Sequence, residues 1–171
     1  DLTPSPSPGG EGGKGLGFAG EVTLEMNPED VTEAYVEELQ STRFNRFSLG
    51  VQSFSDKDLA SLNRPHSAGQ ALNAVKLLQR AGYENISIDL IFGIPGSPDA
   101  RWRENLETAF SLDVPHISAY ALTVEPGTPL AWMIEKRRRE PVSDEAQVSQ
   151  FRMLMRMARE HGYQHYEISN F

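Results

Sequence analysis

Four short apolar runs in this chain of 171 residues each end on a polar side chain that a buried strand has no use for. They read Val22-Thr23-Leu24-Glu25, Phe47-Ser48-Leu49-Gly50-Val51-Gln52, Ile86-Ser87-Ile88-Asp89-Leu90-Ile91, and Ile117-Ser118-Ala119-Tyr120-Ala121-Leu122-Thr123 leading to Glu125. A helix-like stretch follows every one. Strands alternating with helices through short turns specify a parallel sheet, because parallel neighbours need a crossover between them. In such α/β architectures the strand C-termini open on one rim, where ligands sit. Glu25, Gln52, Asp89 and the Thr123–Glu125 turn are therefore expected to face one shared cavity.

The helices are set by spacing and caps. One follows Asn27-Pro28 and runs to about Gln40, with Val31, Tyr35 and Leu39 on its inner face. Ser55 and Asp58 form a cap signature for a short helix that Arg64-Pro65-His66 breaks. Ser67 with Gln70 opens a longer one, with Leu72, Val75, Leu78 and Ala81 spaced for the core and Gly82 at its end. Gly93-Ile94-Pro95-Gly96 makes a tight turn, Ser97 caps, and Pro98 starts a helix with Trp102, Leu106 and Ala109 inward. Glu125-Pro126-Gly127-Thr128-Pro129 is expected to be a rigid loop. Ser143 begins the last helix, with Val148, Phe151, Met155 and Ala158 inward and Gly162 at its end. Met153, Met155 and Met157 are read as packing and surface residues that share no face. Tyr166-Glu167-Ile168 is expected to be a fifth strand.

Residues 1–20 are mostly Pro, Ser and Gly and read as a flexible segment before a domain of residues 21–171. The Gly12–Gly15 run lacks the Ser or Thr and the preceding strand of a phosphate loop. Net charge is −8, and Lys136-Arg137-Arg138-Arg139 is the one basic cluster. A single such run on an acidic chain argues for a solvated helix end and against nucleic acid. No apolar run approaches the roughly 18 residues of a membrane span. The sequence contains no cysteine, which excludes disulfides and suits a reducing cytoplasm.

A carboxylate at a strand end can take both hydroxyls of a ribose, or an ammonium group; an arginine can hold a carboxylate through two parallel bonds. Glu25, Gln52, Asp89 and Arg64 together suit an amino acid joined to a nucleoside. The plainer alternative is a structural ion pair between Glu25 and Arg64, with Gln52 and Asp89 capping turns. His66 adjoins Arg64 and is a weaker candidate for the same cavity. His116 begins a strand on the opposite rim, and His161 and His165 lie near the end of the last helix. No nucleophile stands at a fixed spacing from a base, so no catalytic residue and no metal ligand is assigned.

Specific strings carry a family resemblance. Asn45-Arg46-Phe47-Ser48-Leu49-Gly50-Val51-Gln52-Ser53-Phe54, Leu62-Asn63-Arg64-Pro65-His66 and Ile88-Asp89-Leu90-Ile91-Phe92-Gly93-Ile94-Pro95-Gly96 resemble the coproporphyrinogen dehydrogenase-related branch of the radical SAM superfamily. Within it, the stretch His116–Pro129 and Tyr166-Glu167-Ile168-Ser169-Asn170-Phe171 are similar to the HemW-type haem chaperones. The resemblance implies a partial (β/α)6 barrel binding a [4Fe–4S] cluster and S-adenosylmethionine. It places Glu25, Gln52, Arg64 and Asp89 at positions that contact S-adenosylmethionine, and Thr123 at one that touches it less specifically. It further implies haem as cargo and haem-acceptor proteins as partners, with oxygen-independent coproporphyrinogen III oxidase as the alternative activity.

The chain departs from that family in one chemical respect. The family holds its cluster with three cysteines on the loop after its first strand, and none is present here. Thr3-Pro4-Ser5 is a possible remnant of the glycine-rich strand end that follows. The family's C-terminal accessory region falls beyond Phe171. The expectation is thus an interior fragment, inactive alone, of a longer protein.

Overall fold

A computed structural model describes residues 20–171. The expected opening segment, apart from Gly20, lies outside them. Four strands form a parallel sheet in sequence order: β1 (Thr23–Met26), β2 (Arg46–Gln52), β3 (Ile86–Phe92) and β4 (His116–Ala121). Between and after them lie α1 (Glu33–Leu39), α2 (Asp56–Ser61), α3 (Ala68–Arg80), α4 (Asp99–Ser111), α5 (Pro129–Glu135) and α6 (Asp144–Glu160).

Side chains alternate across a strand, so each face of this sheet collects every second residue. Phe47, Leu49, Val51, Ile86, Ile88, Leu90, Ile117 and Ala119 point to the helical side and are buried. There they meet Val75 and Leu78 of α3, Leu106 and Ala109 of α4, and Leu154 and Ala158 of α6. The opposite face carries Thr23, Glu25, Arg46, Ser48, Gly50, Ser87, Asp89, His116 and Ser118. An apolar side and a polar side are what a barrel wall presents to its helices and to its interior.

Helix α3 begins with the expected capping box: Ser67 Oγ accepts the Gln70 N–H at 3.2 Å while Gln70 Oε1 accepts the Ser67 N–H at 2.8 Å. Elsewhere the chain departs from expectation. Residues Pro28–Asp30 form a 3-10 turn, and α1 starts only after Thr32, whose hydroxyl caps it. Pro98, not Ser97, occupies the cap position of α4, because the Ser97 hydroxyl is engaged by Asp58. Thr128 caps α5 and Pro129 opens it, within and beyond what reads as a rigid loop.

Two corrections concern the C-terminal part. Helix α6 buries Gln150, Met153, Leu154, Met157 and Ala158, leaving Val148 48% exposed. Phe151 and Met155 are partly buried against the core, as expected, and with Val148 they line an apolar groove of about 490 Å3 beside Tyr120, Ala121 and Ile168. Met153 and Met157, four residues apart, do share the buried face. Tyr166–Ile168 is no strand: Asn170 N–H donates to Glu167 O at 3.2 Å, closing a turn. The chain then returns antiparallel along β4, with Phe171 N–H to Ile117 O and Ile117 N–H to Phe171 O both at 3.0 Å. The outer edge of β4 offers unpaired backbone groups, and this pairing satisfies both of those on Ile117 and the Ala119 N–H. Among the described residues, no helix is long and apolar enough to cross a membrane.

Candidate functional site

The polar face of the sheet is floored by a glycine. Register between β2 and β3 runs Leu49 to Ile88 and then Gln52 to Leu90. Gly50 and Val51 thus stand opposite Asp89 alone, which defines a bulge. Bulges bend a strand and re-aim its side chains. Here the next residue, Gln52, takes φ 64, uncommon for a residue with a side chain. Ser53 N–H donates to Val51 O at 2.8 Å, closing a three-residue turn around it. The turned side chain lies back over Gly50, where an added Cβ would stand 3.0 Å from Gln52 Nε2. The Gln52 amide forms no hydrogen bond among the described residues, so its donors and acceptor remain available to a ligand.

Asp89 and Glu25 flank that floor, from β3 and β1. The Asp89 carboxyl titrates above its ordinary value, chiefly because burial disfavours its charge, with the Glu25 carboxylate adding to the rise. The hydroxyls of Ser118 and Ser48 and the Arg46 guanidinium oppose it. Glu25 is exposed and forms no ion pair among the described residues. A shallow recess of about 400 Å3 lies against it, lined also by Met26, Asp30 and Tyr35.

The remaining sequence candidates occupy loops. Arg64 sits in the turn between α2 and α3, half-buried, its backbone N–H donating to Leu59 O at 2.9 Å. Its guanidinium has no carboxylate partner among the described residues, so the structural ion pair with Glu25 does not form. Thr123 is exposed in the loop between β4 and α5. The structure therefore brings Glu25, Gln52 and Asp89 to one open face and keeps Arg64 and Thr123 in loops. The recess beside Glu25 is lined by none of the other four. A cavity of about 890 Å3 opens at the other end of the sheet, beside His116, Tyr163 and Phe171.

His66 is engaged elsewhere: Nε2 donates to Val51 O at 3.0 Å and Nδ1 lies 3.0 Å from Glu29 Oε2. His116 packs between Ser87 Oγ and the Tyr166 hydroxyl, each at 2.7 Å, and burial pushes its pKa down.

Three buried polar residues lie behind the face. Asp58, expected to cap α2 with Ser55, is drawn instead to the loop after β3, and Ser55 forms no side-chain cap bond. The other two, Asn105 and Gln150, are residues to which the sequence reading assigns no role. Asp58, 2% exposed, accepts from Ser97 Oγ at 3.0 Å and from Arg101 at 2.9 Å. Asn105 Oδ1 accepts the Phe54 N–H and lies 3.1 Å from Ser53 Oγ. Gln150 Oε1 accepts the Gly93 N–H at 2.8 Å, and its Nε2 donates to Ser97 O at 3.1 Å. Asn105 and Gln150 are legible as amides on the apolar stripes of α4 and α6, where an unpaired amide is costly.

Comparison with known proteins shows the family. Residues 16–109 match the model of the Radical SAM superfamily. The heme chaperone HemW of Lactococcus lactis is 36% identical over 154 residues, covering 88% of this chain and 40% of that protein. HemW of Bacillus subtilis is 35% identical over 151 residues, with the same two shares covered. The chain thus spans about 40% of the length of these curated relatives. Among solved structures, coproporphyrinogen III oxidase HemN of Escherichia coli superposes with a TM-score of 0.76 at 20% identity, covering 88% of this chain and 35% of that one. At that identity the match speaks to the fold.

Proposed function

The chain belongs to the radical SAM superfamily, and from that premise we propose that its polar sheet face grips S-adenosylmethionine in a HemW-type haem chaperone. The observation that carries the reading is the convergence of Asp89, Glu25 and the unbonded Gln52 amide on the bare Gly50 floor. The Glu25 carboxylate near the end of β1 and the Asp89 carboxylate midway along β3 accept from the two ribose hydroxyls and from the ligand ammonium. Each charge-assisted hydrogen bond of this kind contributes about 1.5–3 kcal/mol when shielded from water. Arg64, which pairs with no carboxylate among the described residues, holds the ligand carboxylate in this reading, and Thr123 makes a less specific contact. Residues 21–171 form part of a barrel core in the cytoplasm. Haem as cargo and a haem-acceptor protein as partner belong to the same proposal. It rests on curated relatives of that name above 30% identity, whereas coproporphyrinogen III oxidase reaches 20%.

The superfamily also implies a [4Fe–4S] cluster. Clusters of that type are held by thiolates, and this chain has none. Among the described residues, no three His, Cys, Asp or Glu side chains converge to hold a metal. The residues present do not fit a cluster, and no reaction step is assigned through one. Incubated with iron, sulfide, a reductant and S-adenosylmethionine, this chain forms no 5′-deoxyadenosine; its formation would overturn that assignment.

Ligand binding is tested by calorimetric titration of the chain with S-adenosylmethionine. Saturable binding with a dissociation constant of about 1 mM or tighter, abolished in Asp89→Ala and weakened in Glu25→Gln, is the expected result. Failure of the wild-type chain to bind, or binding indifferent to both substitutions, defeats the reading. Haem is tested separately: one haem bound per chain in a difference spectrum supports the chaperone assignment, and none contradicts it.

A further inference from the structure

Gln52 is held at positive φ in a three-residue turn. Backbone strain of that kind persists only where the surroundings over-determine it. The surroundings here are unusually explicit. The Val51 carbonyl that closes the turn also accepts from His66 Nε2 at 3.0 Å. On the far side, Ser53 Oγ accepts the Ser55 N–H at 3.1 Å and lies 3.3 Å from Asp58 Oδ2. The same Asp58 carboxylate accepts from Ser97 Oγ and Arg101, which belong to the loop after β3 and the helix that follows it. One carboxylate therefore joins the loop that carries Gln52 to the loop that follows the Asp89 strand.

An acidic residue in the first turn of α2 is favourable in itself, but that role does not require burial. A carboxylate 2% exposed bears a desolvation cost that an apolar side chain of similar size would not. Helix α2 needs no acidic residue buried at its third position. Its partners are instead divided between Ser53, five residues before it, and Ser97, 39 residues after it, and each follows a strand that carries a site residue.

We propose that Asp58 is a positioning residue for S-adenosylmethionine: it touches no ligand, but fixes the Gln52 turn and the Gly93–Ser97 loop relative to one another so that their strands present a single preformed site. The inference rests on the ligand reading above. Loss of Asp58 leaves each strand intact and lets the two loops move independently, so affinity falls because the site must be ordered on binding.

The test is a double-substitution cycle on the whole chain. S-adenosylmethionine affinity is measured for wild type, Asp58→Asn, Gln52→Ala and the combination. Amide hydrogen exchange is followed in residues 52–56 and 93–98. Asp58→Asn is expected to weaken binding about tenfold, and to add less than about twofold once Gln52 is already replaced, because coupled residues are not additive. Exchange rises in both loops together. Tyr163→Phe, which loses a hydrogen bond to Val114 O at the other end of the sheet, lowers the melting temperature and leaves affinity unchanged. A purely structural Asp58 moves melting temperature in the same way and leaves affinity and coupling untouched.

Wild-type affinity in Asp58→Asn, or losses that multiply independently with Gln52→Ala, overturns the inference alone; a wild-type chain that binds no S-adenosylmethionine overturns the ligand reading with it. Should Asp58→Asn not fold, Ser97→Ala and Ser53→Ala each cut one arm. Raised exchange at residues 52–56 in Ser97→Ala then supports the inference, and unchanged exchange there refutes it.

Discussion

Glu25 and Asp89 stand on the same face of the sheet, two strands apart, and the charge of the first adds to the burial that raises the pKa of the second above its ordinary 3.8. A raised carboxyl pKa in the folded state means that the fold binds the proton more tightly than the unfolded chain does. Stability therefore falls as pH rises from about 3.8 through the raised value, and the full penalty is present above it. Asp89→Asn removes the penalty. Melting curves across pH are expected to show the variant more stable than wild type near neutrality, with the gap closing as pH falls toward 3.8. A gap that widens in acid would show that the Ser118, Ser48 and Arg46 contacts outweigh burial.

The same titration has the opposite sign for the ligand. Ribose hydroxyls donate to an ionised carboxylate, so S-adenosylmethionine affinity in the wild-type chain is expected to rise as pH climbs through the Asp89 pKa. Acidic conditions thus favour the empty fold and disfavour the complex. Binding titrations at several pH values read this directly. In Asp89→Asn, weak binding that no longer changes over that window is the matching outcome.

Much of this arrangement was legible in the sequence. Apolar alternation fixes which side of β2 and β3 is buried, and Ser67 with Gln70 marks the start of α3 by chemistry alone. Two sorts of feature escaped. Tyr166-Glu167-Ile168 has strand composition, yet Glu167 and Asn170 close a turn because the return along β4 satisfies an open edge. No local propensity encodes that choice. Helix α6 carries apolar residues on two stripes, and only the tertiary fold decides that Leu154 and Met157 are buried while Val148 faces the groove. At the site, Glu25 and Gln52 were readable from strand ends, whereas Asp89 stands midway along β3 and reaches the site through the polar face. The bulge that turns Gln52 over Gly50, and the Asp58 carboxylate behind it, depend on contacts between segments distant in sequence.

The Gln52 backbone gives a prediction in which stability and binding part company. The left-handed region costs an L-residue about 1–2 kcal/mol, and glycine escapes that cost. Gln52→Gly is therefore expected to keep wild-type stability within about 1 kcal/mol, since relief of strain offsets the freedom gained by the unfolded chain. Gln52→Val, with a branched Cβ at φ 64, is expected to lose about 2 kcal/mol in urea unfolding. Both variants lack the amide, so both lose S-adenosylmethionine affinity. A glycine variant that binds like wild type would show that the turn, and not the side chain, serves the ligand.

Gly93 tests how tightly α6 clamps the loop after β3. Its φ of 74 already favours glycine, and a Cβ there would lie 2.4 Å from Gln147 Cγ. Gln147 cannot retreat freely, because its Nε2 donates to Leu122 O at 2.8 Å. The neighbouring Gln150 meanwhile holds the Gly93 N–H. Gly93→Ala therefore combines a backbone penalty with a steric one, together about 2–4 kcal/mol. Gln147→Ala in the same chain removes the collision but not the φ strain, at the cost of one hydrogen bond. The double variant is accordingly expected to recover part of the loss, about 1 kcal/mol or more, in urea unfolding. No recovery would mean that backbone conformation alone selects glycine at this position, and that α6 can yield to a methyl group.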